Sequence, residues 1–169
     1  MGDSITVAMP VTASPPAWAL TVGSPAASAA GPFRILFVCT GNACRSVIAE
    51  RLAAAGLRAR LGAGAAPFHV ASAGTGVPGG APPHPYTAAA LGRFGVGMEG
   101  FTSRGLTVAD IDAADLILAA GWEHREQIVG MRPRASRRVF LLREFARLAM
   151  LAAASPAGGG GVGGGGVGS

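Results

Sequence analysis

Four short apolar runs, FRILFVC (33–39), FHVASAG (68–74), ADLILAA (114–120) and RRVFLL (137–142), are separated by segments with helical spacing. Continuous apolar runs of this length suit strands buried on both faces, as in a parallel sheet. RSVIAERLAAAGLRARLG (45–62) sets Ile48, Leu52 and Ala55 on one stripe and ends at Gly62, as a helix does. HPYTAAALGRFG (84–95) carries Pro85 in its first turn, where a missing N–H costs nothing. EHREQIVGM (123–131) and REFARLAMLAAA (143–154) complete the helical set. Strand and helix in alternation imply βαβ units. The expected class is α/β: a single domain with a four-stranded parallel sheet flanked by helices.

The chain has 169 residues, enough for one ordinary domain, and is 50% hydrophobic, enough for a sizeable core. Residues 1–32 hold one charged side chain, Asp3, among Ala, Ser, Thr and Pro, and are expected to be a disordered extension. No basic segment precedes SPAASAA, and prolines break its apolar stretches, so a secretion signal is not expected. The domain is placed at 33–154. Residues 155–169, SPAGGGGVGGGGVGS, have no charge and no core pattern, and are expected to be a disordered tail.

The net charge is +5, and every basic residue is an arginine. The arginines are scattered apart from RPRASRR (132–138), and few aromatics accompany them, so nucleic acid is not the expected partner. RPRASRR is read as a solvated turn. A positive surface suits anionic substrates equally well. No apolar run approaches membrane-spanning length, and no membrane partner is expected. Both cysteines, Cys39 and Cys44, lie in one motif, which is not a disulfide framework. They read as reactive thiols in a reducing cytoplasm.

That motif follows the first strand. Ligands of open α/β sheets bind beyond the carboxyl ends of the strands. Between Cys39 and Arg45 the chain reads Thr40, Gly41, Asn42, Ala43, Cys44, and Ser46 follows. Such a phosphate-binding loop can wrap its N–H groups around an anion and add the positive end of a helix dipole. Arg45 supplies a forked donor matched to two phosphate oxygens. Cys39, in the same field, is expected to react as the thiolate, a nucleophile poised beneath bound phosphate. Gly41 and Asn42 are residue types that tolerate the left-handed backbone such a loop requires. Ser46 is read as a donor to the sulfur, as the cap of the following helix, or both.

The histidines are read as structural: His69 within a strand, His84 and His124 at the surface or in turns. Asp110, Asp112 and Asp115 are read as capping or flanking the third strand. No Cys/His cluster has ligand spacing, so neither a metal nor a cofactor is expected.

VCTGNACRS resembles the signature of the low-molecular-weight protein tyrosine phosphatases, V-C-x-G-N-x-C-R-S followed by Pro. ASAGT (71–75) and AADLILA (113–119) follow in the family's order, and the likeness runs over roughly 33–150. The resemblance implies that Cys39 forms a phosphocysteine intermediate and that Arg45 binds the phosphoryl oxygens. It implies that Thr40, Gly41, Asn42, Ala43, Cys44, Arg45 and Ser46 bind the substrate phosphate, with Ser72 supporting Asn42 and Ser46. Cys44 matches the cysteine that forms a reversible disulfide with the nucleophile. The implied substrate is a phosphorylated protein or a small aryl phosphate.

Four departures stand out. Val47 replaces the usual Pro, Phe101 stands in FTSR where the family often has His, and Gly121 stands at an often acidic position. The fourth concerns the family's general acid, an Asp followed by Pro beyond the fourth strand. Here no Asp follows Asp115, and the later prolines, Pro133 and Pro156, follow Arg132 and Ser155. The expected function is therefore a phosphotyrosine or aryl phosphate phosphatase, weakened by the absent acid. The alternatives are an arsenate reductase of the same fold, whose thioredoxin-linked type needs cysteines that do not occur after Cys44, and an impaired phosphate-binding remnant. A protein-arginine phosphatase is disfavoured because Ala43 stands where that group has Thr.

Overall fold

The computed structural model describes residues 31–154. The expected tail, and all of the expected extension except its last two residues, lie outside the described residues. Four strands form: β1 (Phe33–Cys39), β2 (Phe68–Gly74), β3 (Leu116–Ala119) and β4 (Val139–Leu141). They make one sheet in the order β2-β1-β3-β4, with every pairing parallel. The helices are α1 (Arg45–Leu61), α2 (Pro85–Gly92), α3 (Val108–Ala113), α4 (Trp122–Met131) and α5 (Leu142–Ala154). The expected architecture is the observed one.

The strand order determines where a ligand can sit. From β1 the chain crosses to β2 on one side, and later to β3 and β4 on the other. Crossovers of one hand that leave in opposite directions open a crevice at the carboxyl end of β1, the topological switch point. The loop after Cys39 occupies that crevice.

Both faces of β1 are covered, so its sequence is a run rather than an alternation. Leu36 and Val38 join Ala73, Ile111, Ala114, Ile117, Ala119, Ile128, Ala135 and Val139 in the main core. Ile111, Ile117 and Ile128 are fully buried, each contributing about 1.5–3 kcal/mol. By the strand's period of two, Phe37 and Cys39 face the other side, toward α1. Phe37 and Leu118 are buried, as is Val47, which stands in the first turn of α1 where the family has Pro. The stripe expected on α1 is only half-buried: Ile48, Leu52 and Ala55 all keep partial exposure.

Two elements depart from the sequence reading. α3 was expected only as capping residues; Thr107 and Asp110 close a capping box that nucleates this six-residue helix. The stretch read as a solvated turn is instead a 3-10 helix, Pro133–Arg137, which buries Ala135. Arg132 and Arg134 both reach the Asp112 carboxylate, and Arg138 donates to the Ile111 carbonyl at 2.9 Å. That basic run is tied to α3, while Arg134, Ser136 and Arg137 remain exposed as expected of a solvated segment. Asp115 does flank β3, accepting from the Arg34 N–H at 2.8 Å.

β2 ends at a glycine for a steric reason. A Cβ on Gly74 would stand 2.4 Å from Val77 Cγ1, 2.6 Å from the Thr40 carbonyl and 2.9 Å from the Asn42 N–H nitrogen. Two of those neighbours are backbone of the loop, so they cannot swing aside. Gly74→Ala is expected to destabilise the fold by roughly 1–3 kcal/mol, the usual penalty for overpacking, read as a lowered midpoint in thermal unfolding.

Candidate active site

The loop from Thr40 to Cys44 joins the buried end of β1 to the first turn of α1, where Arg45 is the first helical residue. Asn42 is fully buried and has φ = 45°, the one non-glycine residue with positive φ among the described residues. Gly41 does not use that region, although both residues were expected to supply it. The sharp reversal therefore rests on Asn42, a residue type that tolerates left-handed backbone.

Its side chain compensates by binding three segments. The amide Nδ2 donates to Ser46 Oγ at 3.1 Å and to Ser72 Oγ at 2.8 Å, and Oδ1 accepts from the Arg104 N–H at 2.9 Å. Ser72 in turn donates to the Glu50 carboxylate on α1. Ser46 Oγ lies 3.0 Å from Cys39 Sγ. With its oxygen already accepting from Asn42, Ser46 has its own hydrogen available for the sulfur. That polarity suits a thiolate. Ser46 is not the helix cap: Cys44 holds that place, and no side chain caps the helix.

The outer arm of the loop is anchored by residues that the sequence reading missed. Thr87 Oγ1 donates to the Ala43 carbonyl at 2.7 Å, and the His84 N–H reaches the same oxygen at 3.3 Å. Arg104, which holds Asn42 through its backbone, is fixed by a 2.7 Å ion pair with Asp110. Burial raises the Asp110 pKa, but hydrogen bonds from Thr107 and Arg104 outweigh it and hold the carboxyl below its usual range. Nothing in the linear spacing marks Thr87 or Arg104; each enters through a crossover many residues downstream.

His124 is a correction. Expected at the surface or in a turn, it is fully buried on α4, with Nε2 2.9 Å from Thr40 Oγ1. Arg45 Nη2 donates to the same hydroxyl at 3.4 Å. Burial lowers the His124 pKa, and the Arg45 charge adds to that, against an opposing effect of Glu123. The imidazole is neutral at neutral pH.

Cys39 is buried and Cys44 exposed, both as free thiols. Every residue expected in the loop, from Cys39 to Ser46, is thus gathered around one reversal, with Ser72 behind it. The carboxylates of Asp112 and Glu144 offer no replacement for the absent general acid at this loop. Asp112 is engaged by two arginines, and Glu144 lies in the first turn of α5 beyond the edge strand. Among the described residues, no group of three or more His, Cys, Asp or Glu side chains could hold a metal ion. No helix among them is long and apolar enough to cross a membrane.

Residues 34–157 match the model of the low molecular weight phosphotyrosine protein phosphatases. The chain belongs to that family. Etp of Escherichia coli K12, a low molecular weight protein-tyrosine-phosphatase, is 42% identical over 102 residues, 59% of this chain and 62% of Etp. The chain thus spans less than two thirds of the length of that curated relative. YfkJ of Bacillus subtilis superposes with a TM-score of 0.63 at 30% identity, over 70% of this chain and 74% of YfkJ. The YwlE arginine phosphatase of Geobacillus stearothermophilus superposes at 0.58 with 34% identity, over 68% and 69%. In another YwlE structure, a cysteine-to-serine variant, the active-site serine is phosphorylated.

Asn42→Ala would leave Ser46, Ser72 and the Arg104 N–H without their shared partner and keep a strained backbone. It is expected to cost at least about 2 kcal/mol, the penalty of unsatisfied buried groups, measured by denaturant unfolding.

Proposed function

We propose that the chain is a phosphatase that hydrolyses phosphotyrosine or aryl phosphate monoesters through a covalent phosphocysteine at Cys39. The observation that carries this is the 3.0 Å contact between Cys39 Sγ and Ser46 Oγ, set at the foot of a loop that ends in Arg45 on a helix N-terminus. In the first step the thiolate attacks phosphorus, an S–P bond forms, and the P–O bond to the leaving group breaks. Arg45 and the loop N–H groups bind the phosphoryl oxygens, whose charge is spread in the transition state. Water then attacks phosphorus, the S–P bond breaks, and inorganic phosphate leaves with the thiolate restored. The YwlE variant with a phosphorylated active-site serine supports an acceptor role for this position.

The leaving oxygen needs a proton, and the Asp-Pro segment that would supply it is absent from the sequence. Losing a general acid costs on the order of 10²–10⁴ in rate, and least where the leaving group is itself a stable anion. Substrates with acidic leaving groups are therefore the favoured ones. Phosphoarginine is the weaker reading, because Ala43 occupies the position where the arginine phosphatase group carries Thr. The setting is taken to be the cytoplasm, which keeps both free thiols reduced.

Two measurements test this. Purified protein is expected to hydrolyse p-nitrophenyl phosphate without added metal, and Cys39→Ser to abolish that activity; hydrolysis that survives the substitution refutes the assignment. The ratio of kcat/KM for p-nitrophenyl phosphate over phosphotyrosine is expected to be large, up to about 10²–10⁴. Equal efficiency on the two would mean that an acid acts after all.

A further inference from the structure

We infer that His124 is a positioning residue for Arg45, acting through the hydroxyl of Thr40. The inference rests on the phosphatase reading for its kinetic consequence, but its geometry stands apart from it. Thr40 Oγ1 has two partners: Arg45 Nη2 at 3.4 Å and His124 Nε2 at 2.9 Å. Arg45 can only donate, so the hydroxyl oxygen accepts from it. The hydroxyl hydrogen is then free to point at His124, which requires Nε2 to present a lone pair.

The other ring nitrogen fits that polarity. His124 Nδ1 is buried, with the Glu123 carboxylate 3.3 Å away but not aligned as a hydrogen bond. The backbone of Gly121 also raises the basicity of the ring, as an acceptor beside it would. A lone pair on Nδ1 would face negative charge, so the proton belongs on Nδ1. The bonds therefore run one way, from Arg45 to Thr40 to His124. They hold one arm of a guanidinium that is otherwise exposed at the mouth of the loop.

Protonation reverses the second bond. With Nε2–H present, Thr40 Oγ1 would face two donors and its own hydrogen would have to turn away. The ring would also place a second positive charge beside Arg45, with the Glu123 carboxylate opposing it. Arg45 should then lose its fixed orientation as pH falls below the usual histidine range, and with it catalytic efficiency.

The test uses four variants of the full chain with p-nitrophenyl phosphate. Thr40→Val and His124→Leu are each expected to lower kcat/KM by about tenfold, the loss of one hydrogen bond in a charged network. The double variant should lose no more than either single one, because the two substitutions break the same connection. His124→Gln, which restores an acceptor, should recover most of the loss at pH 7 and should fall less than wild type between pH 6.5 and 5. Losses that multiply in the double variant, or unchanged kinetics in both single ones, would overturn the inference. Should His124→Leu fail to fold, Thr40→Val and His124→Gln decide it. Imidazole ¹⁵N spectra need no turnover, and so separate this inference from failure of the phosphatase reading. A proton on Nδ1, with an Nε2 resonance that moves in Thr40→Val, supports it; a proton on Nε2, or an unmoved resonance, overturns it.

Discussion

The buried amide of Asn42 is the interaction on which the site depends. Its backbone takes the left-handed turn that closes the loop, and its side chain ties together α1 through Ser46, β2 through Ser72 and the segment before α3 through Arg104. These contacts come from two crossovers of the sheet and from strand β2 itself. The loop therefore forms only when β1, β2 and the downstream chain are all in place. A nucleophile set in such a loop is preorganised by the fold rather than by local sequence, and that is what electrostatic catalysis requires.

The same dependence explains what the sequence disclosed. Cys39, Asn42, Arg45 and Ser46 lie within eight residues, so their shared loop was legible from spacing alone, and the apolar runs gave four strands in the correct class. His124 was misread because its neighbourhood is polar: Trp122, Glu123, Arg125 and Glu126 surround it in sequence, and only the packing of α4 against the loop turns it inward. The basic run at 132–138 was misread for a related reason. Three of its four arginines have partners on α3, an element so short that only its capping box marks it. Thr87 and Arg104 carried no local signal at all.

The two ends of the sheet are unequally served. The face toward α3 and α4 buries a continuous apolar cluster, and that face supports the loop from beneath through Val38 and Ala73. Over β3 and β4 the opposite face is covered by α5, none of whose residues is buried, while Leu148, Met150 and Leu151 remain exposed. In the proposed mechanism phosphate binding would draw on the well-packed side, and leaving-group protonation on a segment beyond β4, where this sequence holds no Asp-Pro pair. The proposed mechanism thus separates binding and covalent transfer from protonation.

That separation makes the covalent intermediate the most direct object to measure. Wild-type protein would be mixed with p-nitrophenyl phosphate, quenched within milliseconds under conditions that preserve S–P bonds, digested, and examined by mass spectrometry. The account predicts one phosphoryl group on the peptide containing Cys39, appearing with the burst of nitrophenolate and decaying as inorganic phosphate is released. Turnover with that peptide unmodified throughout, or with the phosphoryl group on another residue, would contradict it.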